Sequence, residues 1–476
     1  MSAPRMMTAL TFLSLSAACL ASQWPQFRGE GGLGIADTSA PPTHFGPQTG
    51  VRWKVSLPSG NSSPCIWGDK IFLTTYDKTK LETVCLRRSD GVVLWRASAP
   101  CEQFEITHRL GNPASPTPAT DGNLVFVYFG SYGVIAYDFE GVEKWRLPLN
   151  APVVEFGTSA SPVLFSGRLF LVCDQDEGSF LLAVDARSGR TLWRKERTEF
   201  RRSFATPFLW KHQGGEELVV PGSIWLKSYS PETGDELWTY TGTSRVACSS
   251  PVAGDGLLFS ASWNVGGDAD SRVTMEPFGD FVRGLGKQED VLLQKEDIPK
   301  GPLLDRFTQM DLNKDGRVTR VEWEAMRSMF ARAGNALLGI RPGGRDDVTA
   351  SHLAWKNTRS LPYVASPLFY KGRLFTIKNG GLASSYKAAT GEVLFQDHRL
   401  EAPGDYYASP VAGGGRIYLV SQGGVMTVLA AEDTPKVLAR VEFGEPVMAT
   451  PAIIDDTLYV RTESALYALR EAVETR

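Results

Sequence analysis

A short mark recurs eight times along this chain: a Ser or Thr, then Pro, then an apolar stretch. It stands at Ser63-Pro64, Ser115-Pro116, Ser161-Pro162, Thr206-Pro207, Ser250-Pro251, Ser366-Pro367, Ser409-Pro410 and Thr450-Pro451. Consecutive marks lie 41 to 52 residues apart, except for one gap of 116. A period of that size belongs to units of four short strands. The third unit shows the pattern: a first strand, a turn at Ser166-Gly167, a second strand over 168–173, a third over 180–185, and a fourth that follows Ser188-Gly189 and contains Trp193. Such a unit has two faces to bury and too little chain to bury them alone, so it must stack on its copies. Eight units predict an all-β chain, an eight-bladed β-propeller of four-stranded antiparallel blades. The 47 Gly and 29 Pro supply the turns that this many strands need.

The third-to-fourth strand turn carries a finer signature. Ala183, Asp185, Ser188, Gly189 and Trp193 set it out; Ser228, Thr233, Gly234 and Trp238 repeat it, and Ser385, Thr390, Gly391 and Phe395 replace the Trp by Phe. Shorter versions pair Gly91 with Trp95 and Gly141 with Trp145. The glycine permits a positive φ, and the indole is expected to lie flat against a neighbouring blade as core. These residues resemble the pyrroloquinoline-quinone (PQQ) repeat with its tryptophan docking motif, over nearly all of the chain beyond the leader. The opening Trp24-Pro25-Gln26-Phe27-Arg28-Gly29 resembles the start of a bacterial subfamily of exported propellers. The last unit lacks a fourth strand, and residues 51–55 read as the orphan strand that closes the ring and removes both free edges.

The gap of 116 falls in the fifth unit. Residues 249–263 give its first two strands and 336–355 its last two, so 264–334 is an insertion, with apolar residues at helical spacing on both sides of 311–322. That twelve-residue stretch fits an EF-hand calcium loop: Asp311, Asn313 and Asp315 offer oxygens at alternate positions, Gly316 allows the sharp turn, Arg317 gives its carbonyl, Val318 is apolar, Thr319 binds directly or through water, and Glu322 chelates with both oxygens. A single complete loop is present, which predicts a structural calcium ion and not a sensor.

The remaining organisation follows. Residues 1–22 read as a signal peptide, with Arg5 before a short apolar run, and predict an exported chain, periplasmic or extracellular. Lipidation of Cys19 is the alternative to simple cleavage; Leu15 stands one place too early for a lipobox. Residues 23–50 form an extended segment, 51–263 blades one to five in part, and 335–476 the rest. With a net charge of −3 and no basic run, nothing favours nucleic acid or an anionic membrane surface as partner, and none is expected. No later segment is long and apolar enough to span a bilayer. Cys65, Cys85, Cys101, Cys173 and Cys248 are scattered, with no CxxC; Cys65 and Cys85 are either isolated buried thiols or a pair on neighbouring strands.

In a meander, the second-to-third strand connections share one face with the links between blades. The insertion therefore shares a face with 105–112, 151–159, 174–179, 241–249, 357–365 and 398–408. The resemblance to quinoproteins implies a central cleft there for PQQ. However, those enzymes carry adjacent cysteines and a carboxylate base beside a second calcium, and no motif here supplies them. Weaker candidates are the 174–177 acidic tip (cation site or solvated turn), His108 (ligand or hydrogen-bonded side chain), Arg197 with Arg201-Arg202 (anion site or solvated cluster) and Asp405-Tyr406-Tyr407 (pocket wall or packing). Two functions are expected. The first is a non-catalytic propeller that binds a protein, polysaccharide or small molecule on this face, similar in architecture to the propeller lipoprotein of outer-membrane protein assembly. The second is a PQQ-dependent dehydrogenase acting on an alcohol or sugar.

Overall fold

Alternation of buried and exposed residues is weak in most strands of this protein, because second and third strands are covered on both faces; Leu81–Arg87 is buried at six of seven positions. Several fourth strands alternate, as in Val93–Ser98. The inner strands are thus core and the outer strand of each unit meets solvent. The computed structural model describes residues 23–473 apart from 38, 269 and 271. The expected leader, Cys19 included, lies outside the described residues.

Eight antiparallel units follow one another around a ring, in agreement with the repeat. Blade one runs from Cys65–Trp67 to Val93–Ser98, and blade seven from Val411–Gly413 to Val437–Glu442. In blade eight Val51–Ser56 pairs with Ala465–Leu469. The first and last parts of the chain thus share one sheet. Two blades gain a short parallel strand: Ile35–Ala36 on the inner edge of blade seven and Asp346–Asp347 on the outer edge of blade four.

Tryptophans join the blades. Trp53, Trp95, Trp145, Trp193 and Trp355 each donate an indole N–H to a carbonyl of the next blade, those of Arg88, Phe139, Ala186, Pro231 and Ala388, at 2.9 to 3.2 Å. Each ring also covers the turn glycine of that blade. A Cβ on Gly189 would stand 2.6 Å from Trp145, so close approach as well as its φ of +74° requires glycine there. Trp238 departs from the signature. Its N–H donates to Glu217 in its own blade at 2.6 Å. The reason is local: the third-to-fourth turn of blade five is longer and lays Asp346 beside Trp238.

Cys65 and Cys85 both register with Phe72, one on each flanking strand. A whole strand separates them, so they are isolated buried thiols and no pair.

The segment after residue 23 has a position that its sequence does not announce. Trp24 bridges Ile66 of blade one, the Pro25 carbonyl accepts from Thr120 of blade two, and the Gln26 side chain accepts from Leu164 of blade three. Arg28 donates to the Pro367 carbonyl before blade six at 2.8 Å, and Gly34 accepts from Ala412 of blade seven. Blades three and seven stand across the ring from each other, so residues 24–34 cross its axis.

Blade five has its second and third strands at Leu257–Ser262 and Ala336–Ile340. The chain between them forms a helical layer: α1 (Phe278–Gly284), α2 (Phe307–Met310) and α3 (Arg320–Arg332). α3 starts where Thr319 and Glu322 cap each other, the Glu322 carboxylate taking the Thr319 N–H at 2.8 Å. Its buried face presents Trp323, Met326 and Phe330 to Phe278, Val282, Phe307 and Met310, a core separate from the blades. A side-chain clasp forms the neck. The Asn335 amide accepts from the Asn264 N–H and donates to the Asn264 carbonyl, both at 2.9 Å.

Candidate functional site

The Ser/Thr of the repeat mark has a structural task. Ser63 donates its backbone N–H to the Thr117 hydroxyl, Thr117 to Ser161, Ser161 to Thr206, Thr206 to Ser250, Ser250 to Ser366, Ser366 to Ser409, and Ser409 to Thr450, each at 2.9 to 3.0 Å. Seven bonds thus link eight blades around the axis. The following Pro has no N–H to satisfy, which suits a chain turning into its first strand. In blade two the mark is Thr117-Pro118, two residues beyond Ser115-Pro116. Ser115 instead donates to the Asn112 carbonyl.

Above this ring lies a cavity of about 500 Å³. Phe27 of the crossing segment lies at it, together with the ring hydroxyls. Its walls come from the loops that the meander places on one face: Leu110 and Phe156, Arg201 and Phe204, Arg245 and Cys248, Tyr363 and Tyr407. The helical insertion covers one side, with Gln309 from α2, Asp311, Leu312 and Lys314 from the loop and Met326 and Met329 from α3.

The charges around it are unequal. Arg202 is held by Asp176 at 2.6 and 3.0 Å and by Glu155 at 2.7 Å. Arg197 is buried against Asp174 through two bonds, at 2.8 and 2.9 Å. The 174–177 tip is therefore neither a cation site nor a solvated turn: its first and third residues neutralise arginines. Arg201 and Arg245 differ. Among the described residues neither has a carboxylate within ion-pair distance. Arg201 donates to the Gln309 carbonyl of the insertion at 3.1 Å. The Arg245 guanidinium lies 4.6 Å from the Phe330 ring centre, and its buried Nε–H has no acceptor. Burial, with Arg306 nearby, lowers Arg245 to about 10, so it remains charged at neutral pH. Arg201 thus feels Asp176 and Glu322 only beyond ion-pair distance, and Arg245 has no carboxylate partner among the described residues.

Groups for covalent or acid–base chemistry are poorly provided. Burial pushes the Cys248 thiol up to about 12, which removes it as a thiolate. The lining carboxylates are Asp176, already paired, and Asp311, whose oxygens take the Asp315 and Gly316 N–H groups. His108 accepts the Leu110 N–H and packs 5.0 Å from Phe156, so it shapes a loop. Tyr406 is buried and donates to the Ala402 carbonyl, whereas Tyr407 lines the cavity; of that aromatic pair one packs and one faces ligand space.

One residue that sequence reasoning passed over is Glu105. One oxygen accepts both the N–H and the O–H of Thr158 at 2.8 Å, and the other is buried without a donor. It ties the blade-two loop to the 156–159 loop at the cavity wall. Burial raises it to about 7 against the opposing Thr158 bonds. Its folded value lies above its unfolded one, so the fold favours the protonated form and loses stability as pH rises from about 4.5 through 7. Glu105→Gln is expected to stabilise the protein by about 3 kcal/mol at pH 8 and to change little at pH 4. Urea melts at the two pH values check this; equal shifts at both would exclude a titrating carboxyl.

In the 311–322 loop the oxygens turn inward onto backbone donors. Asn313 accepts from Asp315 at 3.1 Å, Asp315 from Arg317 at 2.9 Å, and Glu322 from Leu312 at 2.9 Å. Burial alone would raise Glu322, but the N–H groups of Thr319, Leu312 and Asn313 hold it below the usual carboxylate range. Side-chain oxygens of Asp311, Asn313, Asp315, Thr319 and Glu322, with the Arg317 carbonyl, are an all-oxygen set of the kind a hard divalent cation takes.

Residues 80–262 match the family described as outer membrane protein assembly factor BamB. Among characterised proteins, this chain is 26% identical over 218 residues to a polyvinylalcohol dehydrogenase of Pseudomonas sp, spanning 41% of this chain but only 32% of that protein. It is 21% identical over 373 residues to the assembly factor BamB of Burkholderia pseudomallei, covering 76% and 85% of the two chains. In fold it is similar to a europium-containing methanol dehydrogenase, with a TM-score of 0.59, 9% identity and coverage of 95% and 98%. No described helix is long and apolar enough to cross a membrane. Ring, docking tryptophans and comparisons agree: this chain is an eight-bladed propeller built of PQQ-like repeats, similar in sequence to the assembly factor BamB and in fold to PQQ-dependent dehydrogenases.

Proposed function

We propose that the protein is an exported, non-catalytic binding propeller whose calcium-loaded insertion braces one wall of a cavity for a small amphipathic organic anion. The observation that carries this reading is the pair Arg201 and Arg245, neither within ion-pair distance of a carboxylate among the described residues and both set among Phe156, Phe204, Tyr363 and two methionines. An anion with an apolar body would supply a close counter-charge and cover the aromatic and methionine side chains at once. Calcium in the 311–322 loop would fix the side of the cavity that Asp311, Leu312 and Lys314 line. Export rests on the leader pattern of residues 1–22 and on the likeness to an outer-membrane assembly factor.

The second reading is a PQQ-dependent dehydrogenase for an alcohol or sugar, favoured by the similarity to the polyvinylalcohol dehydrogenase. The residues at the cavity fit it less well. Its carboxylates are engaged, and its one thiol, Cys248, has no adjacent cysteine.

Two titrations separate the readings. 1-Anilinonaphthalene-8-sulfonate should bind saturably, and R201M/R245M should weaken it by more than about tenfold, as loss of two charge-assisted contacts requires. PQQ with calcium should produce no dye-linked alcohol oxidation. Oxidation by the quinone-loaded protein would replace the first reading by the second.

A further inference from the structure

Val318 of the calcium loop does not stand alone. It forms an isolated antiparallel bridge with Leu293, the two N–H groups donating to the opposite carbonyls at 2.7 and 3.0 Å. This bridge relates two stretches of the insertion by a shift of 25 residues, and the relation extends in both directions. Before it, Phe278, Val282 and Leu285 correspond to Leu303, Phe307 and Met310, and all six pack in the insertion core. After it, Gln294 corresponds to Thr319 and Asp297 to Glu322. The Asp297 carboxylate takes the Gln294 N–H at 2.9 Å, just as Glu322 takes the Thr319 N–H at 2.8 Å. One residue further, Ile298 and Trp323 are both buried in that core. Bridge, carboxylate cap and apolar positions thus match on both sides.

The match is incomplete where a cation would sit: Gln288 and Asp290 keep side-chain oxygens at the places of Asn313 and Asp315, but the first ligand and the turn glycine are lost. Gly286 stands in place of Asp311 and offers no side-chain oxygen. Val291 stands in place of Gly316. Gly316 has φ +80°, a conformation that a β-branched residue resists, and Val291 does not adopt it. Instead a positive charge comes from the chain itself: the Lys287 ammonium lies 2.6 Å from the Asp297 carboxylate. Lys287, first of the causes, and the Gln294 N–H hold Asp297 below the usual range.

We propose that residues 278–298 are a second EF-hand-type half whose cation has been replaced by the Lys287 ammonium, so that the insertion is a paired module with one divalent-cation site. The inference deepens the calcium reading of 311–322 and, for its affinity predictions, rests on it. The physical gain is pre-organisation. The 311–322 loop is short of regular structure, and folding it around an ion costs conformational entropy. A bridge at Val318, fixed by a half that needs no ion, removes part of that cost beforehand. Lys287 acts on the site through the bridge, and is a positioning residue.

Two measurements on the full chain test this. In EDTA, hydrogen exchange should show the Leu293 and Val318 amides protected together in the wild type and both faster in Leu293→Pro, which deletes one donor of the bridge. Unprotected amides in the wild type overturn the pairing, whether or not calcium binds. By calorimetry with calcium chloride, the wild type should bind one ion per chain. Lys287→Ala should weaken that ion about tenfold with the count unchanged, while Lys287→Arg keeps most of the affinity. Two ions per chain, or an affinity that Lys287→Ala leaves unmoved, would overturn the proposal. A wild type that takes up no calcium would sink the calcium reading instead, and the exchange result would still decide the pairing.

Discussion

Replacing Arg197 by Met is expected to destabilise the protein by about 3–5 kcal/mol, the largest effect of any single charge change here. Both side chains of the Arg197–Asp174 pair are essentially inaccessible, at 1% and 0% exposure. The guanidinium grips the carboxylate in a two-point fork, donates to the Tyr229 hydroxyl, and lies 3.7 Å from the Phe200 ring centre. Removing it leaves a buried carboxylate with no counter-charge. The cost therefore comes from the orphaned partner more than from the lost bond. A double variant, R197M with D174L, should recover much of the stability, since no charge remains to be solvated. Urea denaturation of the two variants checks this. If the double variant were as unstable as the single one, the cost would lie in packing around Phe200. The pair also fixes the start of a functional stretch. Residues 201–204, which give the cavity Arg201, Arg202 and Phe204, follow directly from it. Anion binding should weaken along with stability in R197M.

The second large effect concerns calcium. The wild type is expected to gain about 1.4–2.7 kcal/mol in 10 mM calcium chloride, if the ion binds at roughly 10⁻⁴ to 10⁻³ M as in extracellular modules. Glu322→Gln should abolish that gain. Glu322 caps α3 and also takes the Leu312 N–H at the start of the loop. Glutamine retains one acceptor oxygen and loses the charge and the second ligand atom. Without calcium the variant should lose only about 1 kcal/mol, the cost of a weakened cap. The difference between melting curves with and without calcium isolates the ion from the cap. An equal calcium gain in both proteins would show that the ion binds elsewhere.

These expectations draw on features of different legibility. Ser63, Ser161, Thr206 and their counterparts announce eight units, because a propeller repeats one local problem: a short strand must begin beside its copy. The tryptophan signature was readable for the same reason, as Trp145 and Gly189 recur at a fixed spacing within each unit. Where a unit was irregular, local reading misplaced the detail. Ser115 looked like the mark, yet the ring uses Thr117, because the choice depends on which hydroxyl reaches the neighbouring blade. Trp238 had the right spacing and a wrong neighbour.

The site shows the same division. The order of strands sufficed to place 105–112, 151–159 and 241–249 on one face, since a meander alternates its ends. The twelve positions of 311–322 are also a local pattern, in which each residue type has its own place, and on that pattern the calcium proposal rests. Pairing across the ring was not legible. Asp174 and Asp176 looked alike in sequence, and only the folded chain gave one to Arg197 and the other to Arg202. Arg201 was left unpaired by the same geometry. The repeat by itself determined the architecture, because stacking energy between like units depends on sequence that recurs. Tertiary structure alone decided the cavity, its two unpaired cations, the axis-crossing segment and the Leu293–Val318 bridge, because each joins residues that occur once and lie far apart along the chain or in a half whose motif has decayed.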